Sequence, residues 1–485
     1  MKSYISVKKT IMLRLKQLSI LLFLMVLSIR LLGQYKADVS VDPRVELLSI
    51  TFRLAGNQEY SDTYAKKYVE DIHAWFDPYQ SDSLIGFAKR MRMEHGVSYD
   101  AVMSMAVHLK IDGKKISLLK ESENTLERRW TKENANEFVK LLNAFYTKTK
   151  ANEFFAKHQE LYADAVVKMQ EAFKDFDPTW YATYYGNKPT EAYKVIIGLG
   201  NGGGNYGPHV MPLNKQKIVY AVMGCWKFDD AGKPVFETGR YLPTLIHEFN
   251  HSFVNHHLDE GDNTQKLTES GKAIYATVSK EMQSQAYAEW KTMINESVVR
   301  ASVVRYMIDH HAATADVNKE IAEQQGRSFL WTPGLVSLLG TYERSRKIYP
   351  DFAAFYPQII SFFDQTSTNI DSLKIDYSAK QPKVKSLSPF VNGAQDVNPA
   401  TTEIVILFDR PLFGKGYSIN AGTLGNSAIP IKKLMGYEQD NQAFRVGVEL
   451  KPNTAYEFVL TGLSFKSTTG IPIENYTIRF KTAAQ

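Results

Sequence analysis

The chain has 485 residues, a formal net charge of +6 and one cysteine. Its length exceeds one ordinary domain and predicts two or three, and a single cysteine excludes any intramolecular disulfide. The charge is local: six of the 58 Lys/Arg and no Asp/Glu fall in positions 1–33, which leaves 52 basic against 52 acidic residues beyond them. A neutral chain has no electrostatic footprint for nucleic acid, so that class of partner is not expected.

Residues 1–33 read as an export signal. Lys2, Lys8, Lys9, Arg14 and Lys16 precede an apolar run from Leu18 to Ile29 that Arg30 closes. The run is too short to span a bilayer comfortably, so a cleaved signal peptide is expected, not an anchor. No second hydrophobic span follows, and the mature chain is expected to be secreted or periplasmic. The lone Cys225 is expected to act as a small buried hydrophobe in a strand.

Residues 34–190 read as mostly helical. Asp62–Phe76, Tyr99–Lys110, Lys132–Lys148 and Asn152–Phe173 carry apolar residues at three- and four-residue spacing, and the charge-rich Asp112–Arg129 between them predicts a hairpin or surface loop. Residues 191–375 hold the chemistry. Tyr193–Gly198 and Lys217–Trp226 are strand-like and flank a glycine-rich loop, and a long helical tract runs on to Phe363. The loop, Gly198-Leu199-Gly200-Asn201-Gly202-Gly203, matches G-x-G-x-x-G, but Asn205-Tyr206-Gly207-Pro208 cannot open the helix that a dinucleotide site needs. From 384 to 485 the pattern changes to short alternating runs at Thr402–Phe408, Phe444–Leu450, Tyr456–Leu460 and Tyr476–Phe480, separated by Gly, Pro and Asn turns. That pattern predicts a β-sandwich.

The most informative segment is His247-Glu248-Phe249-Asn250-His251, an H-E-x-x-H motif in a predicted helix. Four residues make about one turn, so both imidazoles project from one face and can share one metal ion. Two neutral imidazoles suit Zn²⁺, and Glu248 is placed to act as general base on an attacking water. The three fixed residues alone are a weak signal, because a core helix can use histidines as filler. The flanks strengthen it: between Tyr241 and His257 the only charged residue is Glu248, as a buried metal site requires. Pro243 fits the first turn of such a helix. Strands just upstream, Val195–Gly198 or Val219–Cys225, are candidates for an edge that pairs with an extended substrate.

A third ligand is needed. His257 has the offset of a third histidine, but Val254 stands at the turn position, where a β-branched residue resists positive φ. A later glutamate is the alternative, with Glu260, Glu269, Glu281, Glu289 and Glu296 available. Glu269 sits in a turn-like setting. Glu296 lies in an apolar helical stretch with Arg300 one turn away as a partner for its carboxylate, and it is the preferred ligand. His209 and Tyr275 stand as unassigned donors, while His310 and His311 read as structural or surface residues.

Asn295-Glu296 resembles the Asn-Glu pair that carries the third ligand in thermolysin-like enzymes. The opening Val41–Ile50 and Phe52–Gly56, the His247–Phe253 segment and Glu296 to Arg300 together resemble an uncharacterised family of secreted bacterial proteins of unknown function, over roughly residues 38 to 365. That resemblance implies a gluzincin-like peptidase without an established substrate. The tail resembles bacterial Ig-like domains through Leu387-Ser388-Pro389, Phe408–Leu412 and Thr469–Pro472, which implies a spacer. The expected fold is α+β: a zincin-like metallopeptidase core, a mostly helical N-terminal region and a C-terminal all-β Ig-like sandwich. The expected function is a secreted zinc-dependent metallopeptidase acting on a peptide or protein substrate, with His247, His251 and Glu296 on the metal and Glu248 catalytic. A non-catalytic secreted binding or adhesion protein is the rival expectation.

Overall fold

The computed structural model describes residues 38–119, 125–186, 191–212, 216–285 and 287–484, so the expected export segment lies outside the described residues. The chain is mixed α+β and divides into two compact units, one holding residues up to Thr183 together with Asn187–Phe249, the other Tyr184–Gly186 with Asn250–Gln485. No helix among the described residues is long and apolar enough to cross a membrane.

The first unit opens with strand β1 (Val39–Val41) and the Pro43–Leu54 helix. Asp42 caps that helix by accepting from the Arg44 amide, Pro43 supplies its first turn, and every residue from Val45 to Leu54 is buried. Helices follow at Lys66–Phe76, Ser83–His95 and Asp100–His108, then a hairpin of β2 (Leu109–Asp112) and β3 (Lys115–Leu118), which takes in the first residues of the charge-rich Asp112–Arg129 segment. Lys132–Thr149 is one helix. The predicted Asn152–Phe173 helix is two, Ala151–Lys157 and Gln159–Ala172, broken at His158, whose imidazole Nδ1 bonds the Phe154 carbonyl.

A five-stranded sheet carries the chemical region. Strands β4 (Ala192–Gly198) and β7 (Ile218–Gly224) run parallel and are buried over most of their length. On the outer side of β4 lies β1, also parallel. The chain after the glycine loop folds back so that β5 (Asn205–Tyr206) and β6 (His209–Val210) pair antiparallel with β7. Neither predicted edge strand is therefore an edge. Among the described residues Val195–Gly198 and Val219–Gly224 are interior, and β1 and the β5–β6 segment are the two edges. Cys225 follows β7 and is fully buried, which pushes its thiol up to about 12.

In the second unit the helices Asn263–Ser284, Trp290–Asp309, Thr314–Gly326, Thr332–Arg344 and Phe352–Lys380 precede an all-β tail. There β8 (Val384–Ser388), β9 (Glu403–Phe408), β11 (Ile431–Glu438) and β12 (Ala443–Val448) form one antiparallel sheet. The other consists of β10 (Ile419–Ala421), β13 (Ala455–Leu460) and β14 (Tyr476–Lys481). Inward residues of both sheets, Ile404, Ile406, Phe444 and Val446 from one and Phe458, Leu460, Ile478 and Phe480 from the other, share one apolar core. Alternation at period two is what placed them there.

Candidate metal centre

The H-E-x-x-H segment lies in a helix, Thr238–Val254. Pro243 is inside it and not in its first turn, because the helix begins at Thr238, three residues before the apolar run that opens at Tyr241. The Thr244 hydroxyl beside it donates to the Arg240 carbonyl at 3.0 Å. Aromatic residues hold the helix on its apolar side. Phe249 packs on Phe176, Tyr181 and Tyr193, and Tyr181 donates to the Ile246 carbonyl. One turn later Phe253 stacks on Tyr185, whose hydroxyl donates to Asn250 Oδ1 at 2.8 Å.

His251 uses its two ring nitrogens differently. Nδ1 lies 3.2 Å from Asn255 Oδ1, and Nε2 lies 3.4 Å from Glu296 Oε1. His247 sits one turn before it on the same helix, and single ligand atoms of His247, His251 and Glu296 all lie within 4.8 Å of one another. Ligand atoms sharing one zinc ion with bonds of about 2.1 Å stand about 3.4 Å apart, the spacing that His251 Nε2 and Glu296 Oε1 have. Two imidazoles, one carboxylate and a fixed outer partner for His251 fit a zinc ion.

Glu296 is 6% exposed and its two oxygens also differ. Oε1 faces His251, while Oε2 accepts from Arg300 Nη2 at 2.9 Å and from the Tyr287 hydroxyl at 3.0 Å. Arg300 is itself buried, lies over the Phe329 ring, and donates through Nη1 to Gln324 Oε1 at 2.6 Å. Gln324 in turn donates to Glu320. Burial works against the charge on Arg300, but Glu296 and Tyr287 outweigh it and the guanidinium is held above its ordinary range. Burial, with the Glu296 charge adding to it, pushes the Tyr287 hydroxyl up to about 12, so it stays a donor. Tyr287 carries no sequence signal: it lies in the segment before the Trp290 helix, outside any periodic pattern.

Glu248 is half-buried, and a Cβ placed on Gly207 would stand 2.9 Å from its Oε2. The carboxylate therefore lies against the backbone between β5 and β6, and a side chain at position 207 would push it aside.

The other glutamates and histidines are elsewhere. His257 is buried, with Nδ1 2.8 Å from Glu260 Oε2, and forms a separate group with His256 and Glu260. Val254 has φ −107°, so the chain runs on into a 3-10 turn, Asn255–Asp259, without the reversal a third histidine needs. Glu269 is in the Asn263–Ser284 helix, not in a turn, and Glu281 is in the same helix. Glu289 stands at the N-cap position of the Trp290–Asp309 helix, with no side-chain capping bond. That helix is unbroken from Glu296, so His310 stands about 21 Å along its axis, and His310 stacks on Tyr306. The Tyr275 hydroxyl donates to the Tyr287 carbonyl, and His209 is exposed on β6.

Fold and site together define a mixed α+β protein carrying a His-His-Glu cluster with an adjacent glutamate. The chain belongs to the DUF4932 family, a domain of unknown function, whose profile matches residues 38–362. No curated protein matches it. Among solved structures it is similar to surface layer protein SbsC, domains 1-6, at 15% identity and a TM-score of 0.17, over 50% of this chain and 33% of that one. The N-terminal part of the bacterial S-layer protein SbsC gives 14% identity and a TM-score of 0.16, over 50% and 58%. The chain thus spans about a third to just over half of those structures, and likeness at that level carries no inference about fold or function.

Proposed function

We propose that this protein is a secreted or periplasmic zinc metallopeptidase with a gluzincin-like arrangement. The observation that carries it is the convergence of His247, His251 and Glu296, with Glu248 directly beside the first ligand. Support for a zincin-like core comes from the sheet, whose antiparallel edge passes Gly207 against the Glu248 carboxylate. The tail, two antiparallel sheets on one core, supports an Ig-like spacer.

His247, His251 and Glu296 would hold the ion. Zinc bound there supplies Lewis-acid polarisation of the scissile carbonyl and lowers the pKa of water. Glu248 takes the proton of the attacking water as its oxygen adds to the carbonyl carbon. When the C–N bond breaks, Glu248 passes that proton to the leaving amine. Asn255 orients His251, and Arg300 with Tyr287 fixes Glu296.

The test is hydrolysis of a broad peptide library by the zinc-loaded protein and by Glu248→Ala. Cleavage by the former and its loss in the latter, with zinc retained, is expected. Equal cleavage by both, or none by either, sinks the proposal, and absence of cleavage with binding intact favours a binding protein.

A further inference from the structure

In the first unit a surface cleft of about 380 Å³ is lined by Gln58, Glu59, Tyr99, Gly204, Asn205 and Tyr206. Two of these residues are strand β5, so the cleft opens one to three residues along the edge from Gly207, where the Glu248 carboxylate lies. At roughly 3.4 Å per residue this is the distance of a neighbouring substrate side chain.

The cleft is built around one carboxylate. Glu59 Oε1 accepts from Ser98 Oγ, from Asn57 Nδ2 at 2.9 Å and from the Tyr99 amide at 3.3 Å. All three donors fall on that oxygen, which fixes the carboxylate at the wall of the cleft. Burial works to raise its pKa, but the bonds from Ser98 and Asn57 outweigh burial and hold it below the ordinary range, so it is ionised at neutral pH. Two tyrosines flank it. Tyr99 has φ +51° and ψ −117°, a region in which a side chain is strained, yet the residue is 55% exposed. Backbone strain that presents an exposed aromatic residue marks a functional position. Tyr60 holds it there by donating to the Tyr99 carbonyl at 3.1 Å. Nearby Arg129 is already engaged by Asp100 and Glu127.

A fixed carboxylate between aromatic faces is the chemistry that recognises an ammonium or guanidinium group. We propose that this cleft binds a lysine or arginine side chain and so selects peptides with a basic residue close to the scissile bond. The selectivity for cleavage rests on the peptidase reading; binding of the basic side chain does not.

The test uses the full chain carrying Glu248→Gln, so that bound peptide stays intact. Blocked pentapeptides with a central lysine, and the same peptides with norleucine, are titrated calorimetrically. The lysine peptide is expected to bind at least tenfold more tightly. Glu59→Gln, which keeps an oxygen for Ser98, Asn57 and the Tyr99 amide, abolishes that ratio, and Tyr99→Gly, which relaxes the backbone, reduces it. Equal binding of both peptides, no binding of either, or a ratio that survives Glu59→Gln overturns the proposal. Lysine preference without cleavage by the unsubstituted protein removes the peptidase reading and leaves the cleft. Cleavage without lysine preference does the reverse.

Discussion

Arg300 Nη2 lies 2.9 Å from Glu296 Oε2, the oxygen turned away from His251. The pair is buried, and its second tie, the Tyr287 hydroxyl, reaches the same oxygen. This leaves Oε1 facing His251 as the proposed ligand atom and fixes its direction. Arg300→Met removes the countercharge and leaves the buried carboxylate with the Tyr287 hydroxyl and His251 as its remaining polar neighbours. Breaking such a pair costs about 3–5 kcal/mol, and loss of an outer partner costs a metal site about 10–100-fold in affinity. Chemical unfolding and a zinc competition titration check both. Tyr287→Phe, which removes the bond to Glu296 and the one accepted from Arg300 Nη2, is expected to cost about 1–3 kcal/mol of stability.

Gly207 is predicted to be irreplaceable for turnover and dispensable for zinc. A methyl group there meets Glu248 Oε2 at 2.9 Å and displaces it. Gly207→Ala is expected to lower kcat/KM at least tenfold, because misplacing a general base removes most of its contribution. Zinc content stays at the wild-type level, since no proposed ligand is touched. Loss of both together contradicts the placement.

Glu46 gives a pH dependence of stability that has nothing to do with the metal. It is fully buried beneath the glycine loop, where it accepts from Leu199 N at 2.7 Å, Gly200 N at 3.1 Å and the Tyr68 hydroxyl at 2.8 Å. Burial outweighs these bonds and raises its carboxyl from 4.5 to about 7. A raised folded pKa favours the protonated form. The contribution is therefore fully present below pH 4.5 and is lost as pH rises through 7, on the order of 3 kcal/mol in all. Glu46→Gln is expected to flatten this slope in urea unfolding between pH 5 and 8, although its single acceptor lowers stability overall. An unchanged slope contradicts the assignment.

Tyr99 offers a stabilising substitution. At φ +51° and ψ −117° glycine is unstrained, so Tyr99→Gly is expected to raise stability by about 1 kcal/mol, the low end of what such strain costs. Thermal unfolding reads it, and a fall in Tm contradicts the strain.

The sequence made some of this legible for clear reasons. Four-residue spacing of His247 and His251 in a stretch without other charges marked the helix, and Glu296 stood out because an apolar helix carried it one turn from Arg300. Short elements held together from far along the chain were not legible. Strand β1 has three residues and pairs Val39 with Val195, and β5 and β6 have two each, split by Gly207 and Pro208. No periodicity can register over two residues, so from sequence alone the two interior strands look like edges. Glu46 was read only within a family-like opening, because nothing local marks a glutamate whose partners are Leu199 and Gly200. Pro243 was set at the helix start because proline usually stands there.

The central claim is that His247, His251 and Glu296 hold one zinc ion. It is tested most directly by the metal content of the purified protein and of its His247→Ala and Glu296→Ala variants, measured by mass spectrometry after dialysis. One equivalent of zinc in the unsubstituted protein and less than a tenth of that in both variants is the predicted result. Stoichiometric zinc that survives both substitutions contradicts it.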